Sequence, residues 1–313
     1  MHCRPFGRTG ATVSCVSYGT NMLGRPASAD RPGDEECTTE AYYVRMVLAA
    51  LDEGVNLFDT ANVYQDGRSE ELLGKALKDR RADVIIGTKC GSQSRNFAAD
   101  AIVKEAEESL RRLQTDRIDL LQLHNPSLED LKEKDWQDGF DALERAGKVR
   151  WRGVSVRAPA DGIWLIERDL VDAVQVNFNV FRADARDDLL PLAAEAGVAV
   201  LTKIPLARGL LSGKYGSASR FPEGDWHRHG FVGEPEEMLG KIDRLKDLAQ
   251  ARGGSLAELA LRWVVRHEGV SAAIPGAKRV EHVRDNARAG AAGPLSEELY
   301  RTVEEIVRGS AEA

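Results

Sequence analysis

Val55-Asn56-Leu57-Phe58-Asp59-Thr60-Ala61-Asn62-Val63-Tyr64, continued by Gly67-Arg68-Ser69-Glu70-Glu71-Leu72-Leu73-Gly74, holds a strand end, a loop and a helix start in one stretch. The apolar run Val55 to Phe58 ends in a carboxylate, Asp59, and a tyrosine follows within one short loop. Ser69 is expected as the helix N-cap, with Glu70 and Glu71 complementing the positive end of the helix dipole. Asp59 and Tyr64 then fall between the carboxyl end of a strand and the amino end of a helix, where α/β folds place active sites.

The same unit recurs on both sides of this stretch. Short apolar runs stand at Val16 to Gly19, Asn56 to Asp59, Val84 to Thr88, Ile118 to Leu123, Arg152 to Ser155, Ala173 to Val176, Val198 to Thr202 and Ala272 to Pro275. Amphipathic helical patterns lie between them at Tyr42 to Glu53, Ser69 to Asp79, Ala99 to Leu113, Gly139 to Ala146, Leu189 to Ala196 and Pro235 to Arg252. Strands too apolar to have a wet face, alternating with helices, predict a parallel sheet covered by helices. Eight such units predict an α/β fold closed into a (β/α)8 TIM barrel. Residues 1–15 are expected to form a short N-terminal β-hairpin turning at Gly7-Arg8-Thr9-Gly10. Residues 205–235, rich in Gly, Pro and aromatics, form a long connection of the kind that carries function.

With 313 residues, 30% of them charged and 42% hydrophobic, the composition is that of a globular protein, and residues 1–313 are expected to form one barrel domain. A net charge of -7 gives no reason to expect nucleic acid as a partner. No segment is apolar enough to span a membrane, so none is expected as a partner either. Cys3, Cys15, Cys37 and Cys90 show no paired metal-ligand spacing, and the start Met1-His2-Cys3-Arg4-Pro5 lacks the apolar core of a secretion signal. A cytoplasmic protein with reduced thiols is expected, Cys90 being a small buried hydrophobe. Nothing in the sequence specifies an oligomeric state.

Successive strand ends carry Asp59, Lys89 and His124, with Tyr64 just past the second strand, and a barrel would converge all four on one face. A tyrosine hydroxyl titrates near ~10 and needs help to exchange a proton at neutral pH. A buried ammonium nearby favours the phenolate, and a carboxylate keeps the ammonium charged. Neutral His124 could then orient a carbonyl oxygen towards Tyr64. Any one of these residues alone is better read as a core group or half of a buried ion pair; the set of four favours a proton-transfer site.

Gly54-Val55-Asn56-Leu57-Phe58-Asp59-Thr60-Ala61, Tyr64 with Gly67-Arg68-Ser69-Glu70-Glu71, Thr88-Lys89, Leu123-His124 and Ile274-Pro275-Gly276-Ala277 closely resemble the aldo-keto reductases. The resemblance runs from the hairpin to about Asn286. It implies a (β/α)8 barrel that binds a nicotinamide cofactor, NADP (NADPH) before NAD, and moves a hydride between it and a small-molecule carbonyl or alcohol. Tyr64 would be the general acid in reduction, tuned by Lys89 and Asp59, with His124 orienting the carbonyl.

The resemblance also implies a cofactor site. Lys278 and Arg279 stand before a helix expected to begin near Val280, where backbone N–H groups and charge would receive a phosphate. Without the resemblance they read as a solvated basic turn; with it they become candidates for the 2′-phosphate. His282 and Asn286 share a helical face, beside Asp285, as an adenine edge requires. Gly19, Thr20 and Gly276 complete that side. Family members commonly show Ser-Asn where this chain has Ser155-Val156, which leaves Ser155 and Gln175 for the carboxamide. Lys203 stands where an aromatic often stacks on the nicotinamide, and its stem could cover the ring instead. Pro205, Leu206, Gly209, Ser212 and Lys214 match the family's pyrophosphate loop. Its Gly-x-x-x-Gly-Lys is one residue short of a P-loop, and no Gly-x-Gly-x-x-Gly occurs.

His227-Arg228-His229 could supply two metal ligands, but the pair sits in a late loop and no metal is expected. Trp226 and Phe231 beside it are expected to wall a substrate pocket with Met22, Phe97 and Trp136. A second reading keeps the same fold but makes the chain a cofactor-sensing regulatory subunit, like the channel-associated β-subunits, with little turnover.

Overall fold

A computed structural model describes residues 1–26, 35–91 and 94–309. Two short strands, β1 (Cys3–Pro5) and β2 (Thr12–Ser14), pair antiparallel as the expected hairpin. Eight strands follow: β3 (Tyr18–Gly19), β4 (Leu57–Asp59), β5 (Ile85–Cys90), β6 (Ile118–His124), β7 (Val149–Ser155), β8 (Ala173–Asn177), β9 (Ala199–Lys203) and β10 (Ala272–Ala273). Each pairs in parallel with the next, and bridges from Val16 to Ala273 and from Gly19 to Gly276 bring the first back to the last. The result is the (β/α)8 fold.

Helices α1 (Glu40–Asp52), α2 (Arg68–Leu77), α3 (Ala99–Leu113), α4 (Leu128–Glu133), α5 (Trp136–Arg145), α6 (Pro159–Ile166) and α7 (Leu189–Ala196) fill the connections, then α8 (Pro235–Ala251), α9 (Leu256–Val264), α10 (Val280–Ala292) and α11 (Glu297–Arg308). None of the described helices is long and apolar enough to cross a membrane. The connection after β9 holds two 3-10 turns, Ala207–Ser212 and Trp226–Gly230, and no regular helix before α8.

Strand periodicity of two sorts the barrel interior into layers. Leu57, Ile85, Leu120, Trp151, Ala173, Ala199 and Ala272 make an apolar floor, plugged from below by Phe6 and Val13 of the hairpin. Phe6 and Trp151 are in ring contact at 5.5 Å. Two residues further along the strands the same face turns polar, with Asp59, Gln122 and Gln175, and then His124 and Lys203 at the mouth. Gly153 makes room in this layer, since a Cβ there would stand 3.0 Å from Ala173 O and 3.1 Å from Gln122 Cγ. An apolar floor under a polar layer puts the chemistry at the carboxyl ends of the strands.

The opening segment departs from expectation at one residue. Gly67, at φ +88°, takes the N-cap position of α2, a left-handed conformation that favours glycine. Ser69 lies inside the helix and fully buried, donating from Oγ to Thr20 O at 2.9 Å and pairing with Thr60 Oγ1 at 3.0 Å. It therefore clamps the strand ends instead of capping. Glu70 is also buried, accepting from Thr88 Oγ1 at 2.5 Å and from Arg112 Nε at 2.6 Å.

Candidate active site at the mouth of the barrel

Asp59 ends β4 and Lys89 lies on β5, with parallel register setting Asp59 beside Gly87 and Lys89 beside Gln122. The fully buried Lys89 ammonium donates to Asp59 Oδ1 at 2.5 Å, Thr60 O at 2.8 Å and Tyr64 Oη at 3.4 Å. Its three hydrogens are thus committed. Asp59 Oδ2 accepts from Gln122 Nε2 at 3.0 Å and Gln175 Nε2 at 2.8 Å, so the carboxylate is satisfied in a dry layer. Burial pushes the Lys89 pKa down, but Asp59 and Tyr64 outweigh it and leave it raised.

Tyr64 follows in the loop after β4. Its oxygen accepts from Lys89, which leaves its own proton for an acceptor beyond the tetrad. Lys89 was expected to lower the tyrosine's pKa; burial is the larger effect and, with Asp59, leaves it raised. The resting hydroxyl is therefore protonated. His124, at the end of β6, meets Tyr64 edge-to-face with ring centroids 5.9 Å apart. Burial, then Lys89 and Lys203, push its pKa down to about 3, so the imidazole is neutral at physiological pH. Its Nδ1 is buried without a partner.

A histidine kept neutral in the fold but free to protonate near 6.5 when unfolded contributes stability that is complete above that value and is lost as pH falls towards about 3. Unfolding free energy over that window should fall more steeply in the wild type than in His124→Asn, measured by denaturant titration. Parallel curves would refute a buried neutral imidazole.

Beside the tetrad lies a second cluster. Ser155 Oγ is 3.4 Å from Gln175 Oε1 and 3.4 Å from Asn125 Oδ1. Lys203 does not lie free over the mouth: its Nζ donates to Asn125 Oδ1 at 2.7 Å, Ser155 Oγ at 2.8 Å and Val156 O at 2.9 Å. Gln175 Nε2 is committed to Asp59 and Gln122, so its carbonyl is the end left to face a ligand amide. A nicotinamide carboxamide, with two N–H donors and a carbonyl acceptor, would find matching groups here: the Ser155 hydroxyl can donate, Gln175 Oε1 accepts, and Asn177 Oδ1, two residues beyond Gln175, is a buried acceptor without a partner.

The remaining candidates divide. A cavity of about 620 Å³ is lined by Met22, Tyr64, Trp226 and Lys278, and also by Asn21, Arg25, Val63, Gln65, Asp225 and His227. Gly19 donates its N–H to Pro275 O at 3.0 Å, and Thr20 donates to Asp59 O at 2.9 Å, tying the first and last strands to the site. Pro205 is buried and Leu206 half-buried; Gly209 is left-handed at φ +97°, with Ser212 and Lys214 exposed just beyond. At the amino end of α10, Lys278 and Arg279 are exposed; Arg279 is the N-cap and makes no side-chain cap bond, while Val280 N donates to Tyr42 Oη at 3.2 Å. His282 and Asp285 are exposed on that helix and Asn286 is buried.

Three pocket candidates lie elsewhere. Trp136 is fully buried at the start of α5, its Nε1 donating to Leu131 O at 3.0 Å and its ring edge-on to Phe140 at 5.8 Å. It is a core residue, packed in the hydrophobic cluster that also holds Leu131 and Phe140. Phe97 is 4% exposed and packs on the backbone of Gly91. Phe231 stacks edge-on with Phe221 at 5.3 Å and is not among the cavity's lining residues.

His227 engages both ring nitrogens, Nδ1 with Asp225 Oδ1 at 2.7 Å and Nε2 with Tyr215 Oη at 3.2 Å. Among the described residues no group of three or more His, Cys, Asp or Glu is placed to hold a metal ion. Burial pushes the Cys90 thiol well up, so it stays protonated in the core.

Three contributors were missed in the sequence. Gln122 carried a signal, being a polar residue two before His124 on the same face of β6. Asn125 gave none, because its left-handed turn at φ +57° is what aims it at Ser155. Glu105 of α3 pins two loops by accepting from Asn62 Nδ2 and Gly91 N, both at 2.7 Å.

Comparison with known proteins places the chain in a family. The Aldo/keto reductase family profile matches residues 16–308. An aldo-keto reductase of Bacillus subtilis (strain 168) is 34% identical over 292 residues, covering 89% of this chain and 86% of that protein. A probable voltage-gated potassium channel subunit beta of Oryza sativa subsp. japonica is 30% identical, covering 98% of this chain and 97% of that one. Among solved structures, the holo form of an aldo-keto reductase from Bacillus halodurans superposes with a TM-score of 0.79 at 30% identity, covering 98% of this chain and 96% of its own. The family match spans residues 16–308, from the start of the barrel through α11, and the chain belongs to the aldo/keto reductase family.

Proposed function

We propose that this oxidoreductase is NADP(H)-dependent and interconverts a small aldehyde, ketone or sugar carbonyl and its alcohol, with Tyr64 exchanging the proton. One observation carries the reading: Lys89 directs its three hydrogens to Asp59, Thr60 and Tyr64, leaving the Tyr64 proton to be given outward. The nicotinamide, when bound, supplies the hydride to the carbonyl carbon. Tyr64 gives its proton to the carbonyl oxygen, and Lys89 stabilises the phenolate that remains. Asp59, held by two glutamine amides, keeps Lys89 charged throughout. His124, neutral and beside Tyr64, donates a hydrogen bond that orients the carbonyl oxygen.

Ser155 and Gln175 would hold the carboxamide, while Lys278 and Arg279 at the amino end of α10 favour the 2′-phosphate of NADP. The test is to mix purified protein with NADPH and a panel of aldehydes, ketones and sugars. Carbonyl-dependent loss of NADPH absorbance is expected, and weaker activity with NADH. Loss of absorbance with no member of the panel would remove the reductase reading. The channel-subunit name of the rice relative favours a second reading, a cofactor-sensing regulatory subunit. Tight NADPH binding with no turnover and a stably co-purifying partner would select it.

A further inference from the structure

Two lysines project from the strands, Lys89 of β5 and Lys203 of β9, and their environments differ. Lys89 is paired with a carboxylate. Lys203 gives its hydrogens to Asn125 Oδ1, Ser155 Oγ and Val156 O, all neutral acceptors. Dipoles solvate its charge without cancelling it. The charged groups acting on it are Lys89 and Asp59 across the barrel, Arg157 after β7 and Arg208 after β9. Asp59 is the one anion of that set and is already bonded to Lys89, while His124 nearby is neutral. The field around Lys203 is therefore positive.

A ligand group whose charge changes during reaction would feel that field. If Ser155 holds the carboxamide, a hydrogen bond to Ser155 Oγ brings the carboxamide within about 6 Å of Lys203 Nζ, since the ammonium is itself bonded to that oxygen. The oxidised nicotinamide ring carries a positive charge and the reduced ring carries none.

We propose that Lys203 is a specificity-determining residue for the redox state of the cofactor: its uncompensated ammonium weakens binding of NADP+ relative to NADPH. The chain would then load reduced cofactor from a mixed pool and release the oxidised form faster, which suits carbonyl reduction. The inference rests on the nicotinamide reading above. The ring's charge lies a few ångströms beyond the carboxamide, and two like charges roughly 6–10 Å apart at an effective dielectric constant of about 20–40 weaken binding of the oxidised form by about tenfold.

Dissociation constants for NADPH and NADP+, measured on the full chain by fluorescence titration and calorimetry, test it. Measured at about pH 6, where Lys203 is charged, the ratio of the NADP+ to the NADPH constant should fall about tenfold in Lys203→Met and be kept in Lys203→Arg. A merely structural lysine would move both constants together. Burial, then Lys89, push the Lys203 pKa down to about 7, so the wild-type ratio should also fall as pH rises through that value. The phosphates are common to both forms and cancel in the ratio. An unchanged ratio in Lys203→Met overturns the inference. Should that variant fail to fold, a wild-type ratio that does not fall across this pH range overturns it equally. If neither form binds, the nicotinamide reading itself falls.

Discussion

Tyr64→Phe is expected to lower kcat by on the order of a thousandfold, the size of a positioned general acid's contribution, while leaving cofactor affinity and stability close to wild type. The hydroxyl is the one group removed. Its single bond to protein, accepted from Lys89 at 3.4 Å, is long, so little stability goes with it. The ring contact with His124 remains available to phenylalanine. Lys89 keeps Asp59 and Thr60, and the rest of the mouth is untouched. Steady-state rates of NADPH oxidation with an active carbonyl, alongside a fluorescence binding titration, separate the two effects. A variant that turns over at the wild-type rate would remove Tyr64 from the mechanism, whereas loss of binding would assign it to the pocket wall.

Lys89→Met should damage both catalysis and the fold. Asp59 is 2% exposed, and the ammonium is its sole ionic partner among the described residues. Removing the cation strands a carboxylate in the barrel with two amides for company. Truncating one partner of a buried pair costs about 3–5 kcal/mol, so the unfolding free energy should fall by that amount in a denaturant titration. Neutralising both sides, in Asp59→Asn with Lys89→Met, should recover most of the loss, because the desolvated charge is gone as well. Turnover should be lost in the single and double variants alike, since neither can stabilise a phenolate at Tyr64. A single variant as stable as wild type would show that water or another cation reaches Asp59.

The architecture was legible because it is written in local patterns. Alternating apolar runs and amphipathic stretches specify strands and helices through side-chain periodicity, and eight of them leave few ways to bury every face. Asp59, Lys89 and His124 were legible for the same reason, each closing an apolar run. Gln122 could have been found by counting inward positions along β6. Ser69 misled, because a cap residue and a buried hydroxyl look alike in sequence; the left-handed Gly67 decided between them. Trp136 misled because an aromatic near a loop can face either a pocket or the helix layer.

By itself, then, the sequence determined the barrel and the strand-end residues, which follow from spacing along one chain, and the family, which follows from the resemblance of its motifs. Tertiary structure alone decided how those residues divide the charge. Which hydrogens of Lys89 reach Tyr64, whether burial or the ammonium governs the tyrosine's proton, and where Lys203 finds its three oxygens depend on atoms from different strands meeting in a dry layer. Hydrogen bonds and charges act over a few ångströms, and only the closed sheet sets those distances.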